Sequence, residues 1–201
     1  MGVTIHHTLA QARRDTKATL DNTEALARRF EIQAVQIGVP FEIRRLSDTS
    51  LLVDIGQCET LAFEFAPMPS IEQQRAKYND SWDSFKEWRQ HDHAGEHYER
   101  YPEQLYLWCN SFCKTQFAHE LLQHRMVAEL IRATASRCQI AYVYDEGDYY
   151  HTGRIEDASE AISENGKMIN GLVAQLEGTG WDTSQCIKGG DTFIKPIKKT
   201  T

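Results

Sequence analysis

The chain has 201 residues, of which 41% are hydrophobic and 25% charged, close to the globular average. That excludes a disordered chain, a collagen and a coiled-coil fibre, and its length points to a single domain over 1–201 with a loose tail at 190–201. Twenty-two Lys and Arg against 29 Asp and Glu leave a net charge of −7, which disfavours nucleic acid bound through a basic face.

The start, MGVTIHHTLAQARRD, has no apolar core, so no secretory signal is expected. His6 breaks the myristoylation pattern. No run approaches the ~18 apolar residues of a membrane span. Five cysteines, an odd number thinly spread, read as reduced thiols, and the chain is expected in the cytoplasm without a membrane partner.

In chain order, Leu9, Ala12, Thr16, Leu20, Thr23, Ala27, Phe30, Ala34 and Ile37 recur at three- and four-residue steps. This predicts one long helix from about Ile5 to Ile37, stopped by Gly38 and Pro40. Its narrow face suits a sheet or a second copy of itself. The runs PFEIRRLSD, TSLLVDIGQ and ETLAFEFAP, parted by residues 47–50 and 56–57, predict an antiparallel three-strand meander. A helix is expected from Ser70 to about Arg89, carrying Trp82, Phe85 and Trp88, then a polar loop ending at Pro102. Trp108, Phe112, His119, Leu122, Met126 and Leu130 predict a second long helix over 103–137. QIAYVY, a turn at residues 145–148 and YYHTG predict a hairpin over 139–153. A last helix is expected from Ile155 to Glu177, and a short strand over 192–197.

The predicted class is α+β: a meander plus a hairpin forming an antiparallel sheet against long helices, in the order α-β-β-β-α-α-β-β-α. Over Leu26 to Leu176 that order, with the size and acidity, resembles the small acidic chaperones of type III secretion and the YbjN-like domains related to them in fold. The insert from about Tyr78 to Arg100 makes this chain longer than that pattern. The resemblance implies a non-enzymatic, often homodimeric protein that binds another polypeptide. It carries over no site residue.

Three clusters could carry chemistry. His91, His93 and His97, with Glu96 and Gly95 between, have the composition of a metal site. There zinc or another divalent metal would serve a hydrolase, with Glu96 as base. The bland reading is a hydrophilic loop needing no cofactor. In His119-Glu120-Leu-Leu-Gln-His124 the two rings lie five residues apart, about 140° round a helix, too far for one ion. His119 then reads as a core histidine and His124 as a flank residue. The third cluster is the turn. Tyr144, Asp145, Glu146, Asp148 and Tyr149 offer acids among aromatics, a docking surface for a partner with a basic surface, as in a chaperone, adaptor or inhibitor. Phosphate-loop, dinucleotide and nucleophile-elbow patterns fail, and Cys109 and Cys113 lack further metal-spaced cysteines.

Overall fold

The structure, a computed structural model, describes residues 3–67, 105–115, 121–178, 181–182 and 197–198. Its elements are β1 (Thr4–Ala12), α1 (Thr16–Gln36), β2 (Phe41–Ser47), β3 (Ser50–Ile55), β4 (Leu61–Glu64), β5 (Tyr106–Lys114), α2 (Leu121–Ala135), β6 (Ile140–Asp145), α3 (Tyr149–Thr152), α4 (Ile155–Gly178), β7 (Trp181–Asp182) and β8 (Ile197–Lys198). The class is α+β with two antiparallel three-strand sheets, in the orders β5-β1-β6 and β2-β3-β4. The short β7 and β8 pair with each other.

The meander forms as its alternation dictates. Leu61, Phe63 and Phe65 are buried while Glu64 is exposed. Beyond β4 the chain joins the second sheet: Ala66 and Trp108 exchange both backbone bonds at 2.8 and 2.9 Å, and Glu59 N–H donates to the Lys114 carbonyl at 3.0 Å. The strands therefore run β2-β3-β4-β5-β1-β6 across the molecule, and among the described residues β2 and β6 are the edges.

One core unites both sheets with α1 and α2. α1 buries Thr16, Thr19, Leu20, Thr23, Ala27 and Ala34, a stripe of mostly small side chains that lets α2 approach closely. There the Thr23 and Thr134 hydroxyls share a buried 2.8 Å hydrogen bond. α2 contributes Met126, Val127, Leu130 and Ile131, none of them exposed. Each such side chain removes enough apolar surface from water to contribute about 1.5–3 kcal/mol.

Three sequence expectations are corrected. The helix predicted over 5–37 is a strand followed by a helix, the chain turning at Arg13-Arg14-Asp15 without glycine or proline. The helix predicted over 103–137 likewise resolves into β5 and α2. Trp108 and Phe112, a pair that suggests helix, are four apart, as are Leu9 and Ile5 at the predicted helix start. That spacing is one helical turn, but it is also an even number, so the same pairs share one face of a strand. The hairpin over 139–153 has its first strand and its turn, but Tyr149–Thr152 is a single helical turn. β6 pairs instead with β1. The final helix lies where expected. The helix over 70–89 and the histidines His91, His93, His97 and His119 lie outside the described residues.

Candidate interaction surface

Strand register builds this surface. β1 lies between β5 and β6, and side chains two apart along each strand share a face. On the face away from the main core they stand in rows across three strands. One row is Lys114, Thr4 and Glu146; the next is Phe112, His6 and Tyr144; then Asn110, Thr8 and Tyr142; last Trp108, Ala10 and Ile140. Trp108, Ala10 and Ile140 are buried together, with Tyr142 packed against them. The surface opens beyond them.

The open part is a row of three rings. Phe112 and Tyr144 are 47% and 64% exposed. His6, also exposed, lies between them with ring centroids 5.8 Å from Phe112 and 6.1 Å from Tyr144. Lys114 sits 5.7 Å from the Phe112 ring and pairs with Glu59 at 3.3 Å. Thr8 Oγ1 donates to Asn110 Oδ1 at 3.3 Å, which steadies the row below. A cavity of about 410 Å³ lies over these two rows. Exposed aromatics standing in register on a rigid sheet are the kind of surface that another molecule covers.

At the end of β6, the five turn residues do not form one surface. Tyr144, Glu146 and Asp148 are exposed, whereas Asp145 is 4% and Tyr149 5% exposed. Asp145 turns inward because its strand position faces the core, where backbone donors meet it. Its Oδ1 accepts the Gly147 N–H and its Oδ2 the Tyr150 N–H, both at 2.8 Å, and His124 Nε2 lies 3.3 Å from Oδ2. Burial alone would raise this carboxyl; the bonds from His124, Tyr150 and Gly147 outweigh it and hold it below the usual carboxylate range. His124 is thus no flank residue. Its ring is fully buried, and Nδ1 meets Thr115 Oγ1 at 2.7 Å. Thr115, His124 and Asp145 echo a hydroxyl-imidazole-carboxylate relay, but all three are buried and the chain of bonds ends in backbone. Its role is to clamp the β6 turn. Tyr149 packs edge-on against His124 at 6.2 Å, and its hydroxyl donates to Glu129 at 2.9 Å.

The clamp leaves no room at Gly147. A Cβ there would lie 2.9 and 3.0 Å from His124 Cε1 and Nε2. Gly147→Ala is therefore expected to cost about 1–3 kcal/mol in denaturant unfolding, through the imidazole it displaces. A wild-type midpoint for the variant would refute the packing described.

A second buried pair lies under the ring row. His7 Nε2 is 3.8 Å from Cys109 Sγ, and the Sγ is 3.7 Å from the Ala62 carbonyl. The same residue types at that distance could form a catalytic thiolate and imidazolium. Here burial drives them the other way. It lowers the His7 imidazole to about 4 and raises the Cys109 thiol to about 12, so both stay neutral and unreactive. His7 Nδ1 has no hydrogen-bond partner. Among the described residues, no group of three or more His, Cys, Asp or Glu is placed to hold a metal ion.

No family model matches this chain, and no curated protein or solved structure does. No helix among the described residues is long and apolar enough to cross a membrane.

Register was the signal that sequence reasoning lacked for Phe112 and His6. The helical spacing around Phe112 predicts a helix there, and in sequence His6 stands out only as a break in a lipidation pattern. Tyr144 alone was singled out for the surface it occupies.

Proposed function

We propose that this chain is a non-enzymatic protein-binding module, a chaperone, adaptor or inhibitor, that holds its partner on the open face of the β5-β1-β6 sheet. The carrying observation is the in-register row of Phe112, His6 and Tyr144, with two of its rings about half exposed or more. Aromatic rings supply large contact area at small cost in side-chain entropy. The net charge of −7, with Glu146 and Asp148 exposed beside the row, favours a partner with a basic surface. The protonated thiols of Cys58, Cys109 and Cys138, each raised to about 12 by burial, suit a reducing compartment such as the cytoplasm.

The test places a photo-crosslinking residue at Phe112, at Tyr144, or at the exposed Arg29 of α1. In cells that make the protein, the first two positions should each yield the same discrete adduct and Arg29 none. The Phe112→Ser/Tyr144→Ser variant should lose its adduct at a crosslinker placed on Asn110, with a melting temperature within about 2 °C of wild type. Equal labelling at all positions, or none at either ring, sinks the proposal.

A further inference from the structure

The geometry points to the form in which the partner is held: an extended segment that adds to the free edge of β6, with an arginine or lysine side chain lying across Tyr144 toward Glu146 and Asp148. This rests on the protein-binding reading above and goes on to name the partner's chemistry.

The edge itself is the first argument. Glu146 donates its N–H to the Thr4 carbonyl at 3.1 Å, and the Thr4 N–H returns to the Glu146 carboxylate, which sets 146 and 4 at a hydrogen-bonding position of the ladder. Such positions recur at every second residue of an antiparallel ladder. Residues 142 and 144 therefore face β1 through their backbones, while Ala141 and Val143 turn N–H and C=O outward. Ala141 is exposed and Val143 half-buried. Among the described residues no strand lies beyond β6.

The two edges of the six-strand array are built differently. β2 is guarded: its register breaks between Arg45 and Ser47, and Arg44 and Arg45 form ion pairs with Asp54 at 2.6 Å and Asp21 at 3.2 Å. Bulges and charges of this kind discourage strand addition. β6, Ile-Ala-Tyr-Val-Tyr-Asp, has no bulge, proline, glycine or cation. Among the described residues it is a regular edge with no strand paired to it.

Side chains then select the occupant. Tyr144 rises on the open face and is 64% exposed, so a residue of an added strand would stand beside its ring. Two residues beyond Tyr144, Glu146 is held at the rim, one oxygen accepting the Thr4 N–H at 2.8 Å. Asp148 follows, exposed and held at a φ of +59°. Arg137 precedes β6, at the opposite end of the strand from Glu146 and Asp148. A ring and two carboxylates at one end form a seat for a cation. The molecule already uses the same contact nearby, where Arg132 lies 5.6 and 5.2 Å from the rings of Tyr149 and Tyr150.

The experiment titrates the full-length, isotope-labelled chain with the capped hexapeptide Arg-Val-Arg-Val-Arg-Val, followed by amide NMR at low salt. Its citrulline counterpart keeps the shape without the charge, and a version N-methylated at alternate residues cannot extend a ladder. The arginine peptide should shift the Ala141 and Val143 amides and slow their hydrogen exchange. The citrulline and N-methylated peptides should bind roughly ten-fold more weakly. Ala141→Pro should abolish the effect, and Glu146→Gln should weaken it several-fold. Equal binding of the arginine and citrulline peptides overturns the cation seat, and equal binding of the N-methylated peptide overturns strand addition whether or not Ala141→Pro folds. Concentration-dependent self-association that protects the same amides would assign the edge to a second copy and overturn the inference. A discrete adduct at Tyr144 without arginine-peptide binding sinks this inference alone; absence of both sinks the protein-binding reading as well.

Discussion

Lowering the pH from 7 to 4 is expected to remove about 3 kcal/mol of stability through His7 alone, and His7→Leu should abolish that part of the loss. The sign follows from burial. In the folded chain the His7 imidazole is held at about 4, against 6.5 when exposed. The unfolded state therefore takes up a proton that the folded state refuses. The neutral ring's contribution is complete above pH 6.5 and drains away as the pH falls toward 4. The gap of about 2.5 units at 1.36 kcal/mol per unit gives the magnitude. The Ala62 backbone favours the charged form, but burial outweighs it. Nδ1 has no partner, Phe63 lies 5.5 Å away ring to ring, and Cys109 is a neutral thiol. At pH 7.5 His7→Leu should stay within about 1 kcal/mol of wild type, because an apolar side chain removes an unpaired buried nitrogen. Urea unfolding of both proteins at pH 7.5, 5.5 and 4.5 checks this. Parallel pH profiles would mean that the imidazole is solvated in the folded state.

His7 also shows why the sheet that carries the candidate surface was hard to read. Ile5, His7, Leu9 and Gln11 all point into the structure and are buried, and Thr4, Thr8 and Ala10 between them are buried as well, so burial along the strand does not alternate. A histidine and a glutamine in two of the four places disguise it as a polar segment. Gln11 is buried because its amide nitrogen donates to Thr19 Oγ1 and, at 2.8 Å, to the Arg137 carbonyl. Those partners are supplied only by the completed fold. The meander was legible because each strand pairs with its neighbour in sequence, across turns that announce themselves. β1 pairs with strands about 100 and 140 residues further on, and no local pattern carries that information. The same holds for the site. Phe112, His6 and Tyr144 become one surface only through the register of three distant strands. The acidic turn, conspicuous in sequence, proves to be half clamp and half rim.

The clamp carries the second large effect. Asp145→Ala is expected to cost about 3 kcal/mol or more, because hydrogen bonds to an ionised group are lost and their buried donors are left unmade. In a chain of this size that lowers the melting temperature by roughly 10 °C. The reason is what remains behind. The Gly147 and Tyr150 N–H groups and His124 Nε2 would all lose their acceptor, in a place that water reaches poorly. Asp145→Asn keeps the shape and one acceptor oxygen and should cost about half as much. The pH window separates this group from His7. Because the folded carboxyl is held below its usual range, its contribution is complete above about pH 4 and is lost only as the pH falls further. Wild-type acid unfolding should therefore proceed in two stages, the first missing in His7→Leu and the second flattened in Asp145→Ala. Since Asp145 ends β6, its loss should also free the edge. In Asp145→Ala the amides of Tyr142 and Tyr144, which face β1, should exchange faster than those of β3, while the Tyr144 ring remains exposed as before. Unchanged exchange at the edge, with the full loss of global stability, would mean that the clamp supports the core and leaves the docking strand untouched.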